Sequence, residues 1–81
     1  MGELNVVAGG QADRLQDLSD DALMLLVAGD RQAPFAELVA RHQAPVLAFA
    51  SRFLGDRQQA GEVTQEVFLT IWADRRRYRP R

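Results

Sequence analysis

The sequence predicts an all-α fold, a bundle of three helices, on three observations. Apolar residues recur at the i, i+3, i+4, i+7 spacing from Phe35 to Phe53 and again from Ala60 to Trp72. Two Gly-Asp pairs, Gly29-Asp30 and Gly55-Asp56, punctuate the chain where tight corners between helices belong. No stretch alternates with the period of a strand, and there is neither an internal repeat nor a low-complexity segment.

Taken in order, Met1 to Gln16 hold few apolar residues, and Gly2, Gly9 and Gly10 break any pattern, so order is expected to begin near Leu18. Residues 1–17 therefore read as a flexible N-terminal segment and residues 18–81 as one helical domain. Ser19 is a good N-cap, with Asp20 and Asp21 in the first turn, where acids favour the positive end of a helix. Leu18 and Leu23 flank that cap at the spacing of a hydrophobic staple. Leu23 to Val27 are apolar all round, which predicts a short helix buried on most sides. Gly29 is expected to end it as a left-handed C-cap.

Asp30 is then placed to cap the second helix. Phe35, Leu38, Val39, His42, Val46, Phe49, Ala50 and Phe53 hold one face from end to end, straight through Pro45. A proline inside a helix deletes one backbone hydrogen bond and crowds the preceding turn. The unbroken phase predicts one long helix kinked near Gln43 to Pro45 rather than two helices. Pro34 lies near the start, where proline is better tolerated. Gly55 ends this helix and Asp56 caps the third, with Gln59 at the reciprocal position of a capping box.

The third helix is read from Asp56 to Tyr78. Ala60, Val63, Thr64, Val67, Phe68, Ile71 and Trp72 form its buried face. Glu62, Gln65, Glu66, Thr70 and Ala73 fall opposite, and Leu69 stands among them as an apolar residue on a polar surface. Gly61 is the weak position, costing about 1 kcal/mol against alanine in a helix interior. Arg75, Arg76 and Arg77 sit in the last turn, where cations suit the helix dipole.

Composition bounds the function. The 81 residues include no cysteine and one histidine, so a disulfide, a thiolate metal site and a histidine-based metal site are not expected, and neither is a cofactor. The longest apolar run, Ala22 to Ala28, is too short to span a bilayer, and the N-terminus lacks the layout of a signal peptide. A cytoplasmic protein is expected. The net charge is −1, but all 11 acids precede Arg75, whereas the last seven residues carry five of the ten arginines and no acid. A general nucleic-acid binder would be strongly basic throughout. Arg75, Arg76, Arg77 and Arg79 are candidates for weak phosphate contact only.

No enzyme is expected. No serine or cysteine has a candidate base beside it, and Gly9-Gly10 lacks the strand-to-helix setting of a phosphate loop. Glu62 and Glu66, one turn apart, and Asp20 and Asp21, adjacent, are more economically read as solvated helix surface than as carboxylate pairs. His42 reads as a residue flanking the core.

From Leu18 to Pro80 the chain resembles region 2 of bacterial sigma factors of the sigma-70 family, and within it the extracytoplasmic-function branch. The likeness is carried by the Gly29-Asp30 corner, by Phe35-Ala36-Glu37-Leu38-Val39-Ala40-Arg41-His42, and by Arg52-Phe53-Leu54-Gly55-Asp56. Its strongest part is Thr64-Gln65-Glu66-Val67-Phe68-Leu69-Thr70-Ile71-Trp72. The resemblance implies that the third helix docks on the beta-prime clamp helices of core RNA polymerase. Glu62, Gln65, Glu66, Leu69 and Trp72 would be its polymerase-binding residues. It also implies a role in transcription initiation and an anti-sigma factor among the partners, with promoter DNA a ligand of the full-length parent only. A helix with one apolar face and a polar face carrying Gln65, Glu66 and Leu69 suits a partner helix pair in any case, although a single exposed leucine is ordinary.

Three departures stand out. The family's Ala-Glu-Asp is here Ala60-Gly61-Glu62. Pro34 is an extra residue near the start of the second helix. The chain stops where the family's promoter-melting stretch begins, so a truncated piece of a sigma factor is expected. Two other readings stand beside this one: a self-associating helical module, including a homodimer, and a small helical DNA-binding regulator that uses the arginine tail.

Overall fold

The computed structural model describes residues 15–79, which are helical almost throughout and contain no strand. Helix α1 spans Asp20–Ala28, α2 spans Gln32–Leu54 and α3 spans Arg57–Ala73, followed by a 3-10 turn at Arg75–Arg77. The all-α expectation holds. Met1 to Arg14, Pro80 and Arg81, including most of the segment read as flexible, lie outside the described residues.

Helical structure is already present at residues 15–17, three residues ahead of Leu18. Arg41 holds this turn from the side: its Nη2 donates to the carbonyls of Leu15 at 2.9 Å and Gln16 at 3.1 Å. The same guanidinium bonds Asp20 and Glu37, and His42 Nε2 lies 2.8 Å from Asp20 Oδ2. These contacts fasten the start of the fold to α2.

Ser19 caps α1 as its sequence position predicts, its Oγ accepting from the Ala22 N–H at 3.1 Å. The C-terminus of α1 differs from the expectation. Gly29 has φ −88°, and the left-handed residue is Asp30, at φ +68°. The Arg31 N–H reaches back to Leu26 O and the Asp30 N–H to Val27 O, the bond pair of a Schellman motif with Asp30 where glycine usually stands. Asp30 consequently does not cap α2. Arg31 holds that position without a side-chain bond. At the second corner Gly55 is left-handed at φ +69°, and Asp56 Oδ1 accepts from the Gln58 and Gln59 N–H groups, a cap worth about 1 kcal/mol.

Helix α2 runs unbroken through Pro45, and Pro34, in its first turn, is buried. Helices α2 and α3 pack along each other, while α1 packs on the N-terminal half of α2, giving extents of 52 × 24 × 19 Å. Leu23, Val27 and Leu38 form the core, with Leu15, Leu18, Met24, Phe35 and Trp72 packed around them. Full burial of a leucine or valine contributes about 1.5–3 kcal/mol. Leu25 stays half exposed beside the exposed Asp20 and Asp21, while Leu23 and Val27 are buried and Ala22, Met24, Leu26 and Ala28 half-buried, so α1 is covered on most sides.

Away from this core the apolar faces are wider than their cover. With only nine residues, α1 does not reach the C-terminal turns of α2. Phe49 and Phe53, expected in the core, stack on each other at 6.2 Å and remain 64% and 79% exposed. On α3, Ala60 and Thr64 are buried and Phe68, Ile71 and Trp72 half-buried, but Val63 and Val67 are exposed. Val63 lies at the edge of the apolar sector, whereas Val67, 38% exposed, lines a cavity of about 300 Å³ with Met24 of α1 and Leu38, His42 and Val46 of α2.

Candidate functional site

The outward side of α3 is a continuous surface whose side chains form no hydrogen bond or ion pair among the described residues. Glu62, Gln65, Glu66, Leu69, Thr70 and Ala73 are all exposed. Among the described residues neither Glu62 nor Glu66 takes part in an ion pair. Leu69 is 57% exposed, one turn from both Gln65 and Glu66. Spacings of three and four residues put these side chains on one strip of the helix. The strip offers two uncompensated carboxylates, an amide and an apolar side chain, and no group on it is committed to the fold.

Gln65 and Leu69 also form the rim of an apolar groove of about 350 Å³ between α2 and α3, walled by Phe35, Val39, Leu47 and Phe68. Gly61 opens one end of this groove, since a Cβ added there meets nothing within 4 Å. Trp72, grouped by the sequence with the docking residues, is placed otherwise. Its ring packs against Phe35, centroids 5.1 Å apart, and the Arg75 guanidinium lies 4.1 Å from the ring centroid. The indole is therefore part of the packing that holds the end of α3 to the core.

The arginine tail is likewise not the free helix end that the sequence suggests. Helix α3 ends at Ala73, and Arg75 to Arg77 turn off in a 3-10 turn. Arg75 Nε donates to Asp30 Oδ1 at 2.8 Å, its Nη1 donates to Trp72 O at 2.7 Å, and Arg76 closes on the same Asp30 carboxylate. The bonds from Arg76 first and Arg75 second hold the Asp30 carboxyl below the usual carboxylate range. Tyr78 donates to Asp21 Oδ1 at 2.7 Å, which pushes its phenol upward. Arg79 Nη1 donates to the carbonyls of Arg76 and Tyr78. Of the four arginines proposed to touch phosphate, Arg77 alone has no side-chain partner among the described residues.

Sequence reasoning missed Asp30 as the receptor of this cluster. The pairing spans 45 residues, and no local spacing announces it. The lopsided charge was the available signal, since five arginines together call for a carboxylate somewhere in the fold.

Among the described residues no helix is long and apolar enough to cross a membrane, and no group of acidic, histidine or cysteine side chains is placed to hold a metal.

Comparison with known proteins agrees with the resemblance. The model of the family described as Sigma-70 region 2 matches residues 38–81. The chain is similar to the ECF RNA polymerase sigma factor SigK of Mycobacterium tuberculosis and of Mycobacterium bovis. It is 40% identical to each over 52 residues, which is 64% of this chain and 28% of the relative. The chain thus aligns with a little over a quarter of the length of these curated relatives. No solved structure matches it.

Proposed function

The chain belongs to the sigma-70 family by its region 2, and from that membership we propose that it serves in an RNA polymerase sigma factor of the extracytoplasmic-function type, acting in transcription initiation by docking on core polymerase through α3. Glu62, Gln65, Glu66 and Leu69 make the contact, and the partner surface is the pair of beta-prime clamp helices that the resemblance implies. Trp72 supports the dock from beneath by fixing the end of α3. No catalytic step is assigned to the chain, and its place of action is the cytoplasm, with an anti-sigma factor as a further partner of the whole protein.

The observation that carries this reading is the strip itself. An apolar side chain 57% exposed, on one strip with two acids that form no ion pair among the described residues, is the composition of an interface anchor with a polar surround. The unpaired carboxylates suit a basic partner and favour fast, oriented encounter. The test is comigration: the purified chain, mixed with core polymerase or with unrelated helical proteins, forms a shifted complex with the polymerase alone.

Phe49 and Phe53 favour a second reading, self-association of the chain through the uncovered end of α2, because exposed apolar patches tend to find partners.

A further inference from the structure

The Asp30 carboxylate receives three guanidinium bonds from the far end of the chain. Arg75 Nε donates to Oδ1 at 2.8 Å, Arg76 Nε to the same oxygen at 3.3 Å, and Arg76 Nη2 to Oδ2. Arg76 thus grips Asp30 with a two-pronged fork, the same geometry in which a guanidinium grips a phosphate. The two arginines are unequally committed. Arg75 is locked, its side chain only 20% exposed, bonded to Trp72 O and lying over the Trp72 ring. The Arg76 side chain is 72% exposed and bonds only to Asp30 among the described residues. Arg77, next along, is exposed and has no side-chain partner among the described residues.

Asp30 also occupies an unfavourable backbone state. At φ +68° a glycine would close the α1–α2 corner without strain, whereas aspartate adopts that region at a cost. What aspartate adds at this corner is the carboxylate, and what the carboxylate does is fill the arginine fork.

We propose that Arg75, Arg76 and Arg77 form a phosphate-binding site that Asp30 holds shut, its carboxylate standing where two phosphate oxygens would lie. The ligand class is a phosphate group, either in a nucleic-acid backbone or free. Ligand enters by exchange. Arg76 releases Asp30 and turns outward beside Arg77, while Arg75 stays anchored on Trp72. Phosphate binding by the unaltered chain is therefore weaker than its arginines alone imply, by roughly 1.5- to 5-fold, the range that exposed ion pairs contribute.

The test titrates the full 81-residue chain and its variants at low salt with a labelled short oligothymidylate and, separately, with inorganic phosphate. Asp30→Asn and Asp30→Gly open the fork with residues that accept the left-handed state, so the corner is kept. Asp74→Asn removes the same charge beside Arg75, from a side chain that bonds neither arginine. Both Asp30 variants are expected to bind oligothymidylate about 1.5- to 5-fold tighter, with a smaller change in Asp74→Asn. Adding Arg76→Gln to Asp30→Asn should abolish the gain. A gain for inorganic phosphate as well makes the fork alone the site, and a gain for oligothymidylate only makes the nucleic-acid backbone the ligand. No gain, or an equal gain from Asp74→Asn, overturns the proposal, because net charge then accounts for the effect. The unaltered chain gives an independent readout by nuclear magnetic resonance. The Arg76 side-chain N–H signal should shift on titration while that of Arg75 holds still, and an unmoved Arg76 signal overturns the exchange whether or not the variants fold.

Discussion

Replacing Gly61 by alanine should stabilise the protein. Gly61 lies in the second turn of α3, where its backbone is helical and a Cβ would meet nothing within 4 Å. Alanine there gains up to about 1 kcal/mol in helix propensity, and substitutions of this kind yield about 0.4–1 kcal/mol by restricting the unfolded chain. No packing penalty offsets this. For a domain of this size 1 kcal/mol moves the melting temperature by about 4–8 °C, so Gly61→Ala should melt roughly 2–8 °C higher. Gly55→Ala is the matched contrast. The space around its Cβ is equally empty, but φ is +69°, so alanine should cost about 1–2 kcal/mol and lower the midpoint. The assay is thermal melting by circular dichroism on the two variants and the parent. If Gly61→Ala melts lower, α2 approaches α3 more closely at this turn than the open groove allows. If both variants shift the same way, backbone conformation is not what separates the two glycines.

Further outcomes follow from burial and charge. Leu23→Ala, at the fully buried centre of the core, should cost about 2–5 kcal/mol, whereas Val67→Ala, 38% exposed, should cost well under half of that by the same melts. The Asp30 carboxyl has a folded pKa held below its unfolded value near 3.8, so its contribution is present above that pH and disappears as pH falls through the folded value. Acid titration of Asp30→Asn should accordingly show a shallower loss of stability below about pH 4. Tyr78 has the opposite sign: its raised phenol stabilises the fold below about pH 10 and loses that effect as pH rises through the folded value, so Tyr78→Phe should flatten the alkaline limb. If the uncovered end of α2 drives self-association, sedimentation of the parent should show dimers at high concentration that Phe49→Ser with Phe53→Ser abolishes, and a monomeric parent throughout would remove that reading.

What the sequence makes legible is what short-range chemistry controls. Ser19 and Asp56 are caps because each has amide donors two or three residues away, and Gly55 is left-handed because its neighbours fix a helix end. The first corner shows the limit of that reasoning. Gly29-Asp30 invites the left-handed state onto the glycine, yet the Schellman bonds fall one residue later and put it on Asp30. The arginines that hold Asp30 lie 45 and 46 residues away, so nothing local announces the exchange. Periodicity likewise finds a sector of apolar residues on each helix but not how much of that sector a neighbour covers. Val63 on α3, and Phe49 and Phe53 on α2, fit the pattern of a buried face and remain exposed because the short α1 does not extend to them. Glu62, Gln65, Glu66 and Leu69 are exposed on one strip of α3, as the helical period predicts, since a polar face reads directly from that period. Trp72, which the same period sets on the buried face, is half-buried there, and nothing local announces the Arg75 cation that covers its ring.

The claim that α3 is a docking helix is tested most directly by pairing core-polymerase pull-downs with thermal melts on Glu66→Arg and Leu69→Ala. Both positions are exposed, so the melts should move by no more than about 0.5 kcal/mol. Retention on core polymerase should fall in both, because charge reversal repels a basic partner and loss of the leucine removes the apolar anchor. Variants that fold as the parent does and are retained by core polymerase equally well would contradict the assignment of this face.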